Sequence, residues 1–210
     1  MNNVNYNLEM ENIIKSLKGQ RPRLLLHSCC GPCSSGCIER LNEFFDITVY
    51  YYNPNLDTSD EFLRRAEEQA KLLKEMDLKY DMDLVVVDYN SNEYYSKIKG
   101  LEKESEGGKR CSECFDLRLR KSAEYAAENG FEYFTTTLSI SPYKNAKLLN
   151  ELGEEIANEY GIKYLYSDFK KKDGYKRSIE LSKEYNMYRQ DYCGCIYSKV
   201  EAEERRKESL

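Results

Sequence analysis

Short strand-like segments alternate with helical patterns along the chain, and this alternation limits the possible folds more than any other feature. Segments rich in leucine, β-branched and aromatic residues predict strands at Arg23–His27, Asp46–Tyr52, Asp83–Asp88, Glu132–Thr137 and Lys163–Tyr166. Apolar residues recur at helical spacing in the stretches between them. Strands that alternate with helices usually pair in parallel, with helices on both faces of the sheet. We therefore predict an α/β fold with a Rossmann-like, mostly parallel sheet.

The helical patterns are regular enough to be given bounds. They predict helices at Leu8–Leu17, Ser35–Glu43, Ser59–Glu75, Cys111–Asn129, Asn145–Tyr160 and Tyr175–Tyr185. No internal repeat or low-complexity linker divides the chain, and 210 residues are enough to bury one core. We expect a single α/β domain over residues 1–210, with a leading helix within 1–20 and a charged terminal helix over 196–210.

Composition argues against a membrane protein. No apolar run approaches the roughly 20 residues that a membrane span needs, and the first residues, MNNVNYNLEMEN, do not resemble a signal peptide. A cytoplasmic location is therefore expected. The net charge of −5 means that any nucleic acid must be bound by a local basic patch and not by the overall field.

The loops that follow the predicted strands carry the unusual residues of this chain. SCCGPC follows the first strand, NPN follows the second and SISPYKN follows the fourth. In open parallel sheets, ligands bind outside the carboxyl ends of the strands. The sequence therefore predicts a metal site at this edge of the sheet. Neither G-x-G-x-x-G nor G-x-x-x-x-G-K-[ST] occurs, so no nucleotide site is predicted.

Eight cysteines are the second strong signal. In a chain without an export signal, clustered cysteines indicate metal ligands or redox catalysts more than structural disulfides. Cys111 and Cys114 form C-x-x-C at a helix start, where the helix dipole favours thiolates. Two ligands do not make a site, so a second pair is needed. Cys29 with Cys30 is the obvious supplier, and Cys33 is the competitor.

The remaining cysteines and the single histidine leave alternatives open. Cys37 lies further into a helix and is interpreted as a small buried hydrophobe. Cys193 and Cys195 form C-G-C, in which a disulfide would close a small, strained and labile ring; they could instead be further ligands or inert thiols. His27 could be a proton donor, an iron ligand or a hydrogen-bonded core residue. Spacing alone does not choose between zinc and an iron–sulfur cluster.

Several motifs together resemble one known family. HSCCGPCS, YNPN, KRCSECFDLRL, TTTLSISPYKN, DGYKRS and YRQDYCGC are similar to the signatures of the epoxyqueuosine reductases of the QueH type, and they span His27 to Cys195. The resemblance implies reduction of epoxyqueuosine to queuosine at the wobble position of tRNA, the last step of queuosine biosynthesis. It implies an iron–sulfur oxidoreductase that takes electrons from an unidentified donor.

The resemblance also implies roles for particular residues. The ligands of a [4Fe–4S] cluster would be Cys29, Cys30, Cys111 and Cys114. Cys193 and Cys195 would form a redox-active disulfide. Cys33 stands where family members vary between Cys and Asp, which suits a second iron ion or the epoxide oxygen better than the cluster. Cys33, His27 and Asp116 are the candidates for a Lewis-acid ligand or proton donor at that oxygen.

A basic segment provides the candidate tRNA contact. Lys170–Arg177 reads KKKDGYKR, with five basic residues, one acid and an interleaved tyrosine. Phosphate contacts combined with stacking on an unpaired base fit this composition, although a solvated charged loop would look the same. The predicted substrate-binding residues are Tyr143, Lys144, Lys172, Tyr175, Arg177 and Arg189.

Two other functions remain compatible with the sequence. One is a zinc-stabilised tRNA-binding module without catalysis. The other is a tRNA sulfur-transfer enzyme in which Cys33 carries a persulfide, although the missing ATP loop weighs against it.

Overall fold

The structure is a computed structural model that describes residues 4–208. It contains a five-stranded sheet in the order β3-β2-β1-β4-β5, and all its strand pairs are parallel. The predicted α/β fold is confirmed. The strands are β1 (Arg23–His27), β2 (Asp46–Tyr51), β3 (Asp83–Val86), β4 (Tyr133–Thr136) and β5 (Lys163–Tyr164). The helices are α1 (Tyr6–Ser16), α2 (Gly31–Leu41), α3 (Ser59–Glu75), α4 (Ser91–Lys97), α5 (Lys109–Glu128), α6 (Ala146–Tyr160), α7 (Gly174–Glu184) and α8 (Ile196–Glu208).

The central strand β1 is buried on both faces, which explains its continuous leucine run. Leu24 and Leu26 enter one apolar core and Leu25 enters the other, and all three side chains are fully buried. Residues of α1, α2 and α3 complete the first core, and residues of α5 and α6 complete the second. Burying each leucine contributes about 2 kcal/mol. Helices therefore cover both faces of the sheet.

Local caps set several helix bounds. Helix α3 has the predicted bounds, and the Thr58 side chain accepts a hydrogen bond from the Glu61 amide at its start. Helix α6 begins after Asn145, which caps the Leu148 amide, and ends at Gly161 in the left-handed conformation. Helix α2 begins at Gly31 and not at the predicted Ser35. The reason is Pro32, whose fixed φ and missing N–H suit the first helical turn.

Other bounds differ modestly from the prediction. Strand β5 contains only Lys163–Tyr164, because its pairing with β4 is limited to two positions. Helices α1 and α8 lie within the segments 1–20 and 196–210 predicted for them, whose residues 1–3 and 209–210 fall outside the described part of the chain. Between residues 4 and 208, no helix is both long and apolar enough to cross a membrane.

The topology brings the predicted motif loops to one edge of the sheet. His27, the last residue of β1, pairs with Tyr50 of β2 and with Thr136 of β4. The chain then leaves β1 directly into SCCGPC, and it leaves β4 into a short 3-10 turn at Thr137–Ile140 that leads to SPYKN. The carboxyl edge of the sheet is thus lined by the residues that the sequence selected.

Candidate metal and substrate site

Cys29, Cys30 and Cys33, here called the first-turn cysteines, form a compact group of sulfur atoms at the end of β1. Their three sulfurs all lie within 4.8 Å of one another, and those of Cys29 and Cys30 are 3.9 Å apart. The extended backbone of Cys30 turns the chain into α2, which places Cys33 in the first helical turn. A tetrahedral metal ion with bonds of about 2.3 Å to sulfur holds its ligands about 3.8 Å apart. The group can therefore hold a metal ion.

The pKa values of the first-turn cysteines differ, and that of Cys29 is the lowest of the three. Hydrogen bonds from the Cys30 and Cys33 thiols lower the pKa of Cys29 well below its usual range, and nearby Lys144 and Arg118 lower it further. The shared hydrogen bond with Cys29 raises the pKa of Cys30 to about 12, and the same interaction raises the pKa of Cys33. Of the three thiols, Cys29 is therefore the one that loses its proton most readily, and the thiolate is the form that binds metal.

Cys111, Cys114, Cys193 and Cys195, here called the helix-terminus cysteines, form a second group from two distant segments. Cys111 and Cys114 lie in the first turns of α5, and Cys195 immediately precedes α8. Cys114 and Cys195 pack together in a small apolar cluster with Tyr94 and Ile98. Burial, reinforced by the other sulfurs of this group, raises the pKa of Cys114 to about 12.

The predicted ligand set is thus distributed over two neighbouring groups. Cys111 packs against the apolar core that contains Cys29 and Cys30. It lies outside the set of sulfurs within 4.8 Å of one another, as does Cys114. Cys33, which the resemblance assigned to a second iron ion or the epoxide oxygen and not to the cluster, lies inside that set. The assignment of Cys111 and Cys114 as ligands stays a prediction.

The C-G-C segment is held in place by its backbone. Gly194 has φ +132°, and a Cβ atom there would lie 2.4 Å from Leu56 Cδ2. The Gly194 carbonyl accepts a hydrogen bond from the Asp57 amide at 3.0 Å, and the Cys193 carbonyl accepts one from Arg65 at 3.3 Å. Both cysteines are free thiols here, so their redox pairing stays a prediction.

Arg118 is a buried cation near the cysteines, and no carboxylate among the described residues pairs with it. Its side chain is only 1% exposed. Its guanidinium donates to the Cys114 carbonyl at 3.3 Å and to Asn53 Oδ1 at 3.5 Å, whereas its buried Nη2 has no hydrogen-bond partner within the described chain. A buried cation needs a compensating negative charge. Electrostatically, Arg118 interacts most strongly with the sulfurs of Cys114, Cys193 and Cys29, which would be anionic as metal thiolates.

The contacts and burial of His27, Asp116 and Cys37 limit the roles that these three residues can have. Burial lowers the pKa of His27 to about 3, and both of its ring nitrogens are occupied, by Thr136 Oγ1 at 2.9 Å and by the Tyr52 carbonyl at 3.1 Å. Asp116 is held by Lys97 and by Arg120, each at 2.8 Å. Cys37 is buried in the first core, as predicted.

A cavity of about 490 Å³ opens beside the cysteines. Seven predicted site residues line it: Cys29, Cys33, Tyr143, Lys144, Tyr175, Arg189 and Cys193. Arg189 lies over the Tyr175 ring, with 5.6 Å between the guanidinium carbon and the ring centroid, and Tyr143 at the mouth is 82% exposed. A cavity of this size and composition suits an aromatic, polar ligand.

The cavity wall also includes residues that the sequence reasoning did not select. Ser141, Ser178, Gln190, Asp191 and Tyr192 line it and belong to the motifs already quoted, so proximity to those motifs could have indicated them. Glu106 and Arg205 come from segments without a motif and form an ion pair of 3.5 Å. Nothing in the sequence indicated this pair.

The basic segment Lys170–Arg177 is less available than its composition suggests. Lys172 forms an ion pair with Glu11 at 2.5 Å, and Arg177 binds Glu39 at 2.7 Å. Neither residue lines the cavity. By contrast, Lys171 and Lys176 have no ion-pair partner in the described residues. The predicted substrate-binding set is therefore split between the cavity and the outer surface.

Comparisons with known proteins agree with the motifs. The family profile described as "Epoxyqueuosine reductase QueH" matches residues 24–201. A Streptococcus pyogenes protein of that name is 45% identical over 199 residues, covering 93% of this chain and 78% of the relative. A Staphylococcus epidermidis protein of the same name is 43% identical, covering 93% and 84%. A Thermotoga maritima relative is 32% identical, covering 88% and 94%.

These similarities extend over most of the chain and include the strand-end loops that carry the cysteines. They agree with the parallel sheet and with the position of the first-turn cysteines at its carboxyl edge. The chain belongs to the epoxyqueuosine reductase QueH family.

Proposed function

We propose that this protein is a cytoplasmic oxidoreductase that reduces epoxyqueuosine to queuosine at the wobble position of tRNA. The observation that supports this best is the cavity. Cys29, Cys33 and Cys193, from distant parts of the chain, share it with Tyr143 and the Tyr175–Arg189 stack. Thiols and a nucleobase-sized aromatic site thus meet at one place in a single α/β domain.

The reaction requires two electrons and two protons, because the epoxide oxygen leaves as water and an alkene remains. A [4Fe–4S] cluster held by Cys29, Cys30, Cys111 and Cys114 would supply single electrons at low potential. Cys33, which lines the cavity, would face the substrate or bind a second iron ion. An external low-potential donor protein would provide the electrons.

The buried Arg118 supports an anionic metal–thiolate group at this site. Its buried guanidinium interacts electrostatically with sulfurs of both cysteine groups and has no carboxylate partner among the described residues. Metal thiolates would supply the missing negative charge and would avoid the large cost of an isolated buried cation. The donor set, entirely cysteine, also fits iron–sulfur or zinc chemistry better than harder metals.

Cys193 and Cys195 would act as a dithiol beside this group. Oxidation of the pair to a disulfide releases two electrons and two protons, which equals the demand of one turnover. Gly194 is the residue that lets the two cysteines take their present backbone path, because a side chain there would collide with Leu56. A small ring of this kind is reducible, so the pair could be recycled by the external donor.

A zinc-stabilised tRNA-binding or sulfur-transfer protein is the second candidate. The spacing of 3.9 Å between the Cys29 and Cys30 sulfurs favours it, because that distance suits one tetrahedral ion directly. Anaerobic purification separates the two functions. Broad absorption near ~400 nm with iron and sulfide indicates a cluster; a colourless protein that contains zinc does not.

The decisive assay uses tRNA that carries epoxyqueuosine, with dithionite as reductant and the anaerobically purified protein. Formation of queuosine, detected by nucleoside mass spectrometry, supports the proposed reaction. Protein that binds the tRNA and leaves the epoxide intact would contradict it. Transfer of sulfur to the nucleoside would identify the second candidate instead.

For tRNA binding, we propose that Tyr143, Lys144, Tyr175 and Arg189 contact the modified nucleoside, whereas Lys172 and Arg177 lie towards the backbone phosphates. Lys172 and Arg177 must first leave Glu11 and Glu39, so each gains less from a phosphate than an uncompensated lysine does.

A pair of double variants tests this arrangement. Replacing Lys171 and Lys176 with alanine is expected to weaken tRNA binding and to lower the salt dependence by about one unit of log–log slope per lost phosphate contact. The matched variant with Lys172→Ala and Arg177→Ala should have a smaller effect. Equal effects would show that the two acidic partners do not compete with tRNA.

A further inference from the structure

Lys144 lines the same cavity as Cys29 and Cys33 of the first group and Cys193 of the second. Its amide donates a hydrogen bond to the Ser141 carbonyl at 3.3 Å, and the next residue, Asn145, caps α6 through the Leu148 amide at 3.2 Å. A turn and a helix start therefore hold the backbone on both sides of Lys144. The half-buried side chain lines the cavity.

The ammonium of Lys144 is the uncommitted cation of the cavity wall. Arg189 donates to Ser182 Oγ at 3.2 Å and stacks with Tyr175. Arg205 pairs with Glu106. For Lys144, the described residues offer no hydrogen bond or ion pair to the side-chain nitrogen, which shares the cavity with Cys29, Cys33 and Cys193.

The imidazole and carboxyl groups near the site are already engaged, whereas the Cys33 thiol, also in the cavity wall, is the proposed ligand of a second iron ion. His27 is fully buried with both ring nitrogens bonded, and Asp116 is held in two ion pairs away from the cavity lining. Asp191 lines the cavity but pairs with Arg206 at 3.2 Å. A lysine ammonium is charged and carries its proton at neutral pH. The Lys144 ammonium is therefore the cation of this wall that can stabilise negative charge as it develops on a bound substrate.

We propose that Lys144 hydrogen-bonds the epoxide oxygen of the substrate and gives it a proton as the carbon–oxygen bond breaks. This inference rests on the proposed reduction of epoxyqueuosine. An oxygen that leaves carbon with the electron pair of the bond is a strong base, and a positioned ammonium stabilises it and then neutralises it. Lys144 is thus a catalytic residue as well as a binding residue.

Reduction of the epoxide consumes two electrons and two protons. Two electrons come from a low-potential one-electron donor protein, or from dithionite in the assay. Both carbon–oxygen bonds break, a carbon–carbon double bond forms, and the oxygen leaves as water. One proton of that water comes from the Lys144 ammonium and the other from solvent. The neutral amine of Lys144 regains its proton from solvent before the next turnover.

The test compares Lys144→Met with Lys147→Met in the anaerobically loaded protein. Methionine keeps the length of the side chain and removes the proton and the charge. Lys147 is the matched control, because it lies in the first turn of α6, shortly after Lys144 in the chain, and pairs with Glu151 outside the cavity. Lys144→Met should lower the single-turnover rate by about 10²–10⁴-fold, the usual contribution of a general acid. The control should stay at the wild-type rate.

Three further measurements separate catalysis from binding and folding. Metal content and tRNA affinity of Lys144→Met should stay within a few-fold of wild type. Lys144→Arg should likewise keep tRNA binding but should recover little of the rate, because a guanidinium does not release its proton. Ethylamine added to Lys144→Ala should restore part of the rate in proportion to its concentration.

A wild-type single-turnover rate in Lys144→Met would overturn the inference. So would a variant whose whole defect is weaker tRNA binding that saturating tRNA restores. Wild-type protein that makes no queuosine from epoxyqueuosine tRNA would instead overturn the proposed function itself. The two failures are distinguished by the wild-type reaction run in parallel.

Discussion

The first-turn cysteines and the helix-terminus cysteines are built in different ways. The first group comes from one short loop, so the path of β1 into α2 alone brings its sulfurs within 4.8 Å of one another. The second group joins the start of α5 to the start of α8. It depends on Arg65, which binds the Cys193 carbonyl, and on Gly194, whose positive φ disfavours other residues. The difference separates a locally encoded site from one that only the folded protein can assemble.

Removing a sulfur from the first group is expected to have the largest effect. Cys29→Ser or Cys30→Ser should lower metal affinity by more than about 100-fold, because a direct ligand matters more than an outer partner, whose loss typically costs 10–100-fold. Iron, sulfide and zinc are measured after anaerobic purification. The matched control is Cys37→Ala, whose sulfur is buried in the core and should not affect metal content.

Measuring iron, sulfide and zinc in Cys111→Ser and Cys114→Ser shows whether the two cysteine groups hold one metal centre. Loss of iron from both variants would show that the two groups hold one cluster together. Metal retained in both would assign the binding site to the first-turn cysteines alone, and the predicted four-cysteine set would be wrong.

For the C-G-C segment we expect loss of turnover without loss of metal. Cys193→Ala and Cys195→Ala each remove one sulfur of the proposed dithiol, so the pair can no longer store the two electrons of one turnover. Turnover on epoxyqueuosine tRNA and iron content are measured on the same sample. Loss of iron would instead make these cysteines ligands and would end the relay hypothesis.

Arg118 is the charge that both groups share. Arg118→Met should lower metal affinity by about 10–100-fold, the range found for outer-shell partners of metal ligands. Arg118→Lys keeps the charge and should lose less. Competition with a metal chelator gives both affinities. Lysine keeps the charge but not the shape of arginine, so equal losses in the two variants would show that packing, and not charge, explains the effect of Arg118 on metal affinity.

Gly194 tests how far the second group depends on its backbone. Gly194→Ala should destabilise the protein by about 2–5 kcal/mol, because a side chain meets the unfavourable φ of +132° and the Leu56 methyl group 2.4 Å away. Gly107→Ala is the control, since its φ is +88° and nothing lies within 4 Å. It should lose only about 1–2 kcal/mol. Urea unfolding at neutral pH gives both values.

The locally encoded parts of the molecule are also those that the sequence predicted. The bounds of β1 and α3 agree with the prediction, since a buried leucine run and a threonine cap are signals contained in the segments themselves. The grouping of Cys29 with Cys30 likewise follows from adjacency. The start of α2 was misplaced because the glycine and proline were interpreted as a loop, although proline also suits a first helical turn.

The parts that were missed depend on distant partners. The ion pairs of Lys172 with Glu11 and of Arg177 with Glu39 join segments far apart in the chain. The same holds for the burial of Arg118 and for the contact of Cys114 with Cys195. No local pattern specifies such pairs, because they depend on how the helices pack against the sheet.

The smallest effect concerns His27, which lies directly beneath the first-turn cysteines and is the only histidine of the chain. Burial lowers its pKa in the folded protein to about 3, whereas an unfolded histidine titrates near 6.5. Below about pH 6.5, His27 therefore binds a proton in the unfolded chain but not in the folded protein. Stability should fall as the pH falls from about 6.5 towards 3, by at most about 1.4 kcal/mol per pH unit from this residue.

The measurement is urea unfolding of wild type and His27→Gln at pH 7 and pH 5 under anaerobic conditions. Glutamine cannot take up the proton, so the variant should lose about 2 kcal/mol less between the two pH values than wild type does. Carboxyl groups contribute to both proteins and cancel in the difference. An identical pH dependence would mean that His27 can be protonated in the folded state. The two hydrogen bonds of His27 would then not hold its ring in the neutral form beside the first-turn cysteines. In that case the first-turn cysteines would not rest on a more rigid support than the helix-terminus cysteines do.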